Sequence, residues 1–311
     1  MDIPTATALL SDCNLCPRRC GVDRTAGQRG YCGAGDKLRA ARAALHFWEE
    51  PCISGTRGSG TVFFSGCSLG CIYCQNGKIS RGGEGIDITP QRLAEIFLEL
   101  QAQGAHNINL VTPMHFAPLV INALERVRGR ELRIPVLVNT GGYECVDTVR
   151  MFAGLVDIWL PDFKYADSAL AGRYSNAPDY PQTALAAIDG MLQQAGTPRF
   201  DGDGIMQSGV IVRHLLLPGA LGASMQAVKT LWDRYGDDVY MSLMSQYTPM
   251  GTCERFPQLS RRVSPRHYEA LCDFAASLGI TRCYVQEGES ADAAFIPAFD
   301  GEGIVEKSAN S

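Results

Sequence analysis

The sequence predicts an α/β fold whose mostly parallel sheet curves into a partly closed barrel. Three observations carry this. Short apolar, β-branched runs recur along the chain. Amphipathic helical patterns lie between them, as βα units require. Six such strands precede the final helix, enough to curve a sheet well towards closure. The first strand is TVFFSG (61–66), followed by a helix over 88–104, where Thr89 is the N-cap, Pro90 opens the first turn and Gly104 ends it. Leu93, Ile96, Phe97 and Leu100 fall at i, i+3, i+4 and i+7 of that helix, one apolar face. Strand INLVT (108–112) and helix 116–128 come next. Then follow strands PVLVNT (135–140), DIWLP (157–161), GVIVRHLLLP (209–218), VYMSLM (239–244) and CYVQ (283–286), with helices over 180–195, 225–236 and 264–279. A doubly wound open sheet satisfies the same periodicity. In either architecture ligands bind at the carboxyl ends of the strands. Cys67, Thr112, Asn139 with Thr140, and Asp162 with Lys164 stand at the ends of the first four.

The bulk numbers narrow the function. The chain has 311 residues, 46% hydrophobic and 20% charged, with net charge −5 and no basic run, so a nucleic-acid partner is not expected. No apolar stretch is long enough for a membrane span. The N-terminus lacks the basic and apolar regions of a signal peptide, so a cytoplasmic protein without membrane association is expected. The first 50 residues, with four cysteines and little periodicity, read as a small metal-binding segment too short for a core of its own. Residues 51–290 form the barrel, and 291–311 an irregular tail.

Twelve cysteines are many for a reducing compartment, where clustering points to metal or catalysis. Five are scattered (Cys52, Cys145, Cys253, Cys272, Cys283) and read as small buried apolar residues. The other seven form two groups. GCSLGCIYCQN (66–76) places Cys67, Cys71 and Cys74 as C-x3-C-x2-C on one loop. Soft thiolates select iron–sulfur sites, and three ligands for four irons leave one iron open to a small molecule. A zinc knuckle borrowing a fourth ligand is the competing reading. Cys13, Cys16, Cys20 and Cys32 form a closed set of four, which suits an auxiliary iron–sulfur cluster or a structural zinc. Arg18, Arg19, Arg24 and Arg29 around them read as solvated surface charge, or as complements to anionic thiolates or a partner protein.

The loop and spacing of Cys67, Cys71 and Cys74 resemble those of radical S-adenosylmethionine (SAM) enzymes. The chain further resembles the PflX branch, relatives of the pyruvate formate-lyase activating enzymes. CNLCPRRCGVDRTAGQRGYCG (13–33), HFWEEPCISGTRGSGTVFFSGCSLGCIYCQN (46–76), GAHNINLVTPMHF (104–116), VNTGGYE (138–144), DIWLPDFKY (157–165), YSNAPDYP (174–181), VRHLLLPG (212–219) and LMSQYTP (243–249) carry it. The resemblance implies a partial (β/α)6 TIM-like barrel with a small Cys-rich N-terminal appendage and a [4Fe–4S] cluster at the open top. It also implies reductive cleavage of SAM to a 5′-deoxyadenosyl radical that abstracts hydrogen. Tyr73 and Gln75 are then expected near the adenine, Asn139 and Thr140 as polar contacts, Asp162 and Lys164 at the ribose or carboxylate, and Arg213 in the matching strand. Many relatives hold the SAM amino group with G-G-E-P, where this chain reads LVTPMH (110–115). Thr112 and the backbone at Pro113 take that place, and His115 is either a substrate-side acid/base or a hydrogen-bonded pocket residue. The implied partners are a reductant such as flavodoxin or ferredoxin and a glycyl radical enzyme or other protein substrate. Modification of a peptide or small molecule is the alternative activity, and a non-catalytic iron–sulfur or zinc protein the alternative class.

Overall fold

The computed structural model describes residues 6–81, 83–250, 255–286 and 297–305. Among them, ten strands make one sheet: β1 (Leu38–His46), β2 (Ser59–Phe64), β3 (Ile86–Ile88), β4 (Ile108–Val111), β5 (Val136–Thr140), β6 (Ile158–Pro161), β7 (Arg199–Phe200), β8 (Met206–Leu215), β9 (Tyr240–Met244) and β10 (Cys283–Val285). The spatial order is β10-β9-β8-β6-β5-β4-β2-β1-β3, with β7 beside β8. From β2 to β10 the pairing is parallel, and each strand lies next to the one that precedes it along that path. A doubly wound sheet reverses its strand order at a switch point. This one does not, so its winding is that of a barrel left partly open.

Helices cover the outside. Pro90–Ala102 starts as expected: the Thr89 hydroxyl accepts the Arg92 N–H at 3.1 Å, and Leu93, Ile96, Phe97 and Leu100 are all buried. Ala117–Val127, Val146–Met151, Tyr180–Ala195, Leu221–Tyr235 and Pro265–Ser277 fill the later crossovers. The interior strands read as continuous apolar runs because both of their faces are covered.

The boundary at residue 50 needs one change. Strand β1 lies inside the first 50 residues yet pairs antiparallel with β2 and with β3, so the sheet begins earlier than its periodicity announces. LRAARAALH is alanine and arginine, residues of low strand preference. It is a strand because Leu38, Ala40, Ala41 and Ala43 are buried against the barrel. Before β1, a short helix (Ala6–Ser11) leads into a knuckle of turns, with Cys13 N–H donating to Val22 C=O and Gly21 N–H to Cys13 C=O, both at 3.1 Å. Residues 297–305 contain no helix or strand but lie along β1: Gly301 N–H donates to Ala41 C=O at 2.9 Å and Ala43 N–H to Glu302 C=O at 2.8 Å. Cys253 lies outside the described residues. Among those described, no helix is long and apolar enough to cross a membrane.

Candidate functional site

The loop after β2 carries the three clustered cysteines. It turns at Gly66, whose φ is +89° and where a Cβ would stand 2.6 Å from the Cys32 carbonyl oxygen, so only glycine lets the N-terminal knuckle approach this closely. The Leu69 N–H donates to Cys67 Sγ at 3.3 Å, and the Ser175 hydroxyl donates to Cys71 Sγ at 3.0 Å. Burial pushes the Cys67 thiol up to about 12, and the nearby Cys71 and Cys74 sulfurs add to the shift. Burial raises Cys71 as well, against the Lys164 cation. Thiols such as Cys67 and Cys71, whose ionisation is opposed in this way, call for a cationic metal centre to deprotonate them.

Opposite the cysteines, four strand ends supply a network of fixed charges. Arg213, on β8, donates through Nε to Asp162 at 2.9 Å, through Nη2 to Asn139 at 2.6 Å and through Nη1 to Glu49 at 3.1 Å. Lys164 pairs with the other Asp162 oxygen. Burial alone would neutralise Asp162, but the Lys164 and Arg213 cations hold its carboxyl below the ordinary range. Burial likewise works against the Arg213 and Lys164 charges, and their carboxylate neighbours hold both protonated. Asn109 and Asn139 side-chain amides donate to Glu49 at 3.0 and 3.3 Å.

These groups share a single cleft of about 220 Å³. Its wall includes Cys67, Cys71 and Cys74 together with Tyr73, Gln75, Thr112, Asn139, Thr140, Asp162, Lys164 and Arg213, every residue expected there. Tyr73 is held by its hydroxyl, 2.8 Å from that of Tyr165, which lies 2.8 Å from Ser175 Oγ. Thr112 has φ +59°, costly for a β-branched residue, and its N–H donates to Asn139 C=O at 2.8 Å. The strained residue thus occupies the place left by the missing G-G-E-P. His115 does not reach the wall: its Nε2 pairs with Ser65 C=O at 2.8 Å, and burial lowers its pKa to about 4. It is hydrogen-bonded as one expected alternative has it, but it stands behind the cleft rather than in it. Glu49 and its neighbours His46 and Trp48 also line the wall and were not anticipated. Glu49 is 60 residues or more from each partner, so no spacing exposes it; its only signal is a place within the HFWEEP motif.

In the knuckle, Cys13, Cys16 and Cys32 are buried, Cys20 is exposed, and all are free thiols. Burial pushes Cys16 up to about 12, with Cys32 and Cys20 contributing, and Cys32 feels Cys13 and Cys20 in turn, which brings the four together. Among the described residues no three His, Cys, Asp or Glu side chains close around one metal ion. A cubane cluster, whose cysteines bind different irons, asks for a wider set. Arg24 is not surface charge: it is 1% exposed and donates to the Gly35 and His115 carbonyls and, at 3.8 Å, to Cys13 Sγ. Among the described residues no carboxylate pairs with this buried guanidinium, and its partners are two carbonyls and a thiol.

Residues 61–198, spanning the cysteine loop and the Asn139 to Lys164 strand ends, match the family model of the radical SAM superfamily. This segment is similar to a radical SAM domain. The chain is 24% identical over 291 residues to the uncharacterized protein MJ0674 of Methanocaldococcus jannaschii, covering 91% of this chain and 80% of that protein. Its fold is similar to that of a radical SAM methyltransferase from Sphaerobacter thermophilus, with TM-score 0.53 and 16% identity over 74% of this chain and 67% of the other. SuiB of Streptococcus suis, in its structure bound to the precursor peptide SuiA, has TM-score 0.49 and 12% identity over 72% of this chain and 47% of its own. The radical SAM family implies a [4Fe–4S] cluster and SAM. The residues present fit both: one buried and two half-buried thiols, with N–H and O–H donors aimed at two of them, facing side chains of both signs.

Proposed function

We propose that this chain is a radical SAM enzyme that uses Cys67, Cys71 and Cys74 as cluster ligands and the facing strand ends to bind SAM. A reduced cluster held by Cys67, Cys71 and Cys74 would supply the electron for reductive cleavage of SAM, and with it the hydrogen-abstracting chemistry implied by the family. The observation that carries this reading is that the three thiols and the Asn139–Asp162–Lys164–Arg213 network, distant in sequence, line one cleft. The roles of the protein are positioning and electrostatics. Asp162 and Glu49 meet an amine or ribose hydroxyls, and Lys164 and Arg213 meet a carboxylate. Buried Tyr73, Tyr165 and Tyr247 keep water from one side of the cleft. Thr112 aims backbone polar groups at the amine in place of G-G-E-P. Within the N-terminal 50 residues, the part ahead of β1 acts as a second metal-binding unit on the barrel, holding an auxiliary cluster or zinc on Cys13, Cys16, Cys20 and Cys32.

The resemblance to PflX-like proteins makes a glycyl radical on a partner enzyme the first product to test, with a flavodoxin or ferredoxin as electron donor. Radical modification of a peptide or small molecule is the second. Protein reconstituted anaerobically, reduced and given SAM should release 5′-deoxyadenosine, and Cys71→Ala should release none. A well-loaded wild type that yields no product sinks the enzyme reading. Electron paramagnetic resonance of a mixture with a glycyl radical enzyme then separates the two substrate classes. Metal analysis of the Cys67/Cys71/Cys74→Ala variant assigns the knuckle: residual iron means a cluster, zinc a structural site.

A further inference from the structure

Arg18 lies between Cys16 and Cys20 in the knuckle, yet its guanidinium serves the other cysteine loop. Nε donates to Ser68 C=O at 2.9 Å and Nη2 to Leu69 C=O at 3.3 Å. Nη2 also donates to Ser175 C=O at 2.9 Å, and Nη1 to Asn176 C=O. The guanidinium stacks 3.9 Å above the Tyr31 ring, and the Tyr31 hydroxyl donates to the same Leu69 carbonyl at 3.4 Å. Four peptide carbonyls from two segments thus converge on one planar cation, which no lysine can reproduce.

The other ends of those peptides decide what this does. The plane that carries Ser68 C=O carries Leu69 N–H, which donates to Cys67 Sγ. Ser175, whose carbonyl is held by the same guanidinium, donates its hydroxyl to Cys71 Sγ. Pulling on a carbonyl aligns and polarises the N–H of the same plane. Hydrogen bonds to ligand sulfurs stabilise the more negative, reduced state of an iron–sulfur cluster and so raise its potential.

We infer that Arg18 is a positioning residue of the cluster loop: from the N-terminal knuckle it fixes the donors to Cys67 and Cys71 and thereby raises the reduction potential of the cluster those thiolates hold. The inference rests on the proposed [4Fe–4S] ligation by Cys67, Cys71 and Cys74. It needs no SAM and no substrate to be tested.

The experiment compares the full-length wild type with Arg18→Lys, both reconstituted anaerobically and matched for iron and sulfide, by potentiometric titration followed with electron paramagnetic resonance. The knuckle metal, if redox-active, is removed from the reading by repeating both in a Cys20→Ala background. The expected result is at least a tenfold lower ratio of reduced to oxidised cluster for Arg18→Lys at a fixed poised potential, which for a one-electron couple is about 59 mV. Equal titration curves at equal loading overturn the inference and leave the enzyme reading standing. A wild type that binds no cluster at all overturns both. Should Arg18→Lys load no iron, Tyr31→Leu is read in its place, because it keeps the guanidinium but removes the ring and hydroxyl that steady it. A shift in the same direction supports the inference, and no shift overturns it.

Discussion

Glu144 offers a prediction that can be worked through to a number. Its side chain is 3% exposed, one carboxyl oxygen accepts the Thr140 hydroxyl, and the other has no hydrogen-bond partner. Burial pushes its carboxyl from 4.5 up to about 8, the Thr140 hydroxyl only partly opposing this. Between these two values the native chain holds a proton that the unfolded chain releases. Stability is therefore full below pH 4.5 and falls as pH rises towards 8, levelling off above it. At 1.36 kcal/mol per unit, the loss across the window is on the order of 5 kcal/mol, an upper bound because real sites relax and admit water. Glu144→Gln keeps the shape and an N–H in place of the acid proton, so its stability should be nearly flat over the window and should exceed that of the wild type at pH 8. Urea unfolding of both proteins at half-unit steps from pH 5 to 9, in one metal state, measures the difference. Parallel curves would show that Glu144 is ionised in the native state and would refute the argument.

Other outcomes follow from the same site. Arg213→Met removes the cation from Glu49 and half the pairing of Asp162, and should cost about 3–5 kcal/mol; adding Glu49→Gln should recover part of it, and a loss under about 1 kcal/mol in urea would mean water already reaches the network. Gly142 has φ +80°, and a Cβ there would sit 2.2 Å from the Asp162 carbonyl oxygen. Gly142→Ala should therefore cost more than about 1 kcal/mol and weaken SAM binding by calorimetry. Gly196→Ala, at φ +67° with open space around it, should cost stability alone, and equal SAM affinity in both variants would contradict this. Thr112→Asn, a residue that tolerates the left-handed region, should gain about 1 kcal/mol in thermal unfolding while lowering SAM affinity. A less stable variant would show that the threonine hydroxyl outweighs the strain.

What was legible in the sequence follows its physics. The central strands were readable because burial on both faces forces continuous β-branched runs such as VLVNT and IWLP, and the helix at Pro90 because its cap and apolar face are local. The cleft residues were readable because ligands of such folds gather at strand ends. Strand β1 was not, since its alanines report only that the barrel packs closely upon it. Glu49 and Arg18 were not, because the partners of one are scattered and those of the other are backbone carbonyls, which leave no trace in residue identity. Reading Arg18 and Arg24 as surface charge failed for that reason, while Arg19 and Arg29 are exposed as that reading expects: a guanidinium can be neutralised by dipoles as well as by acids.

The passage of residues 297–305 along β1 has a consequence for how the molecule behaves among its own copies. Strand β3 covers β1 only from Leu38 to Ala40, and beyond that Gly301 and Glu302 satisfy the groups of Ala41 and Ala43. Gly303 sits so close that a Cβ would meet the Ala43 carbonyl oxygen at 2.0 Å, while Asp300 and Glu302 both pair with Arg42. Without this strap, the rim of the sheet would present unpaired backbone groups to any passing strand, the usual template for edge-to-edge aggregation. The segment closes that part of the edge with backbone hydrogen bonds and a charged border.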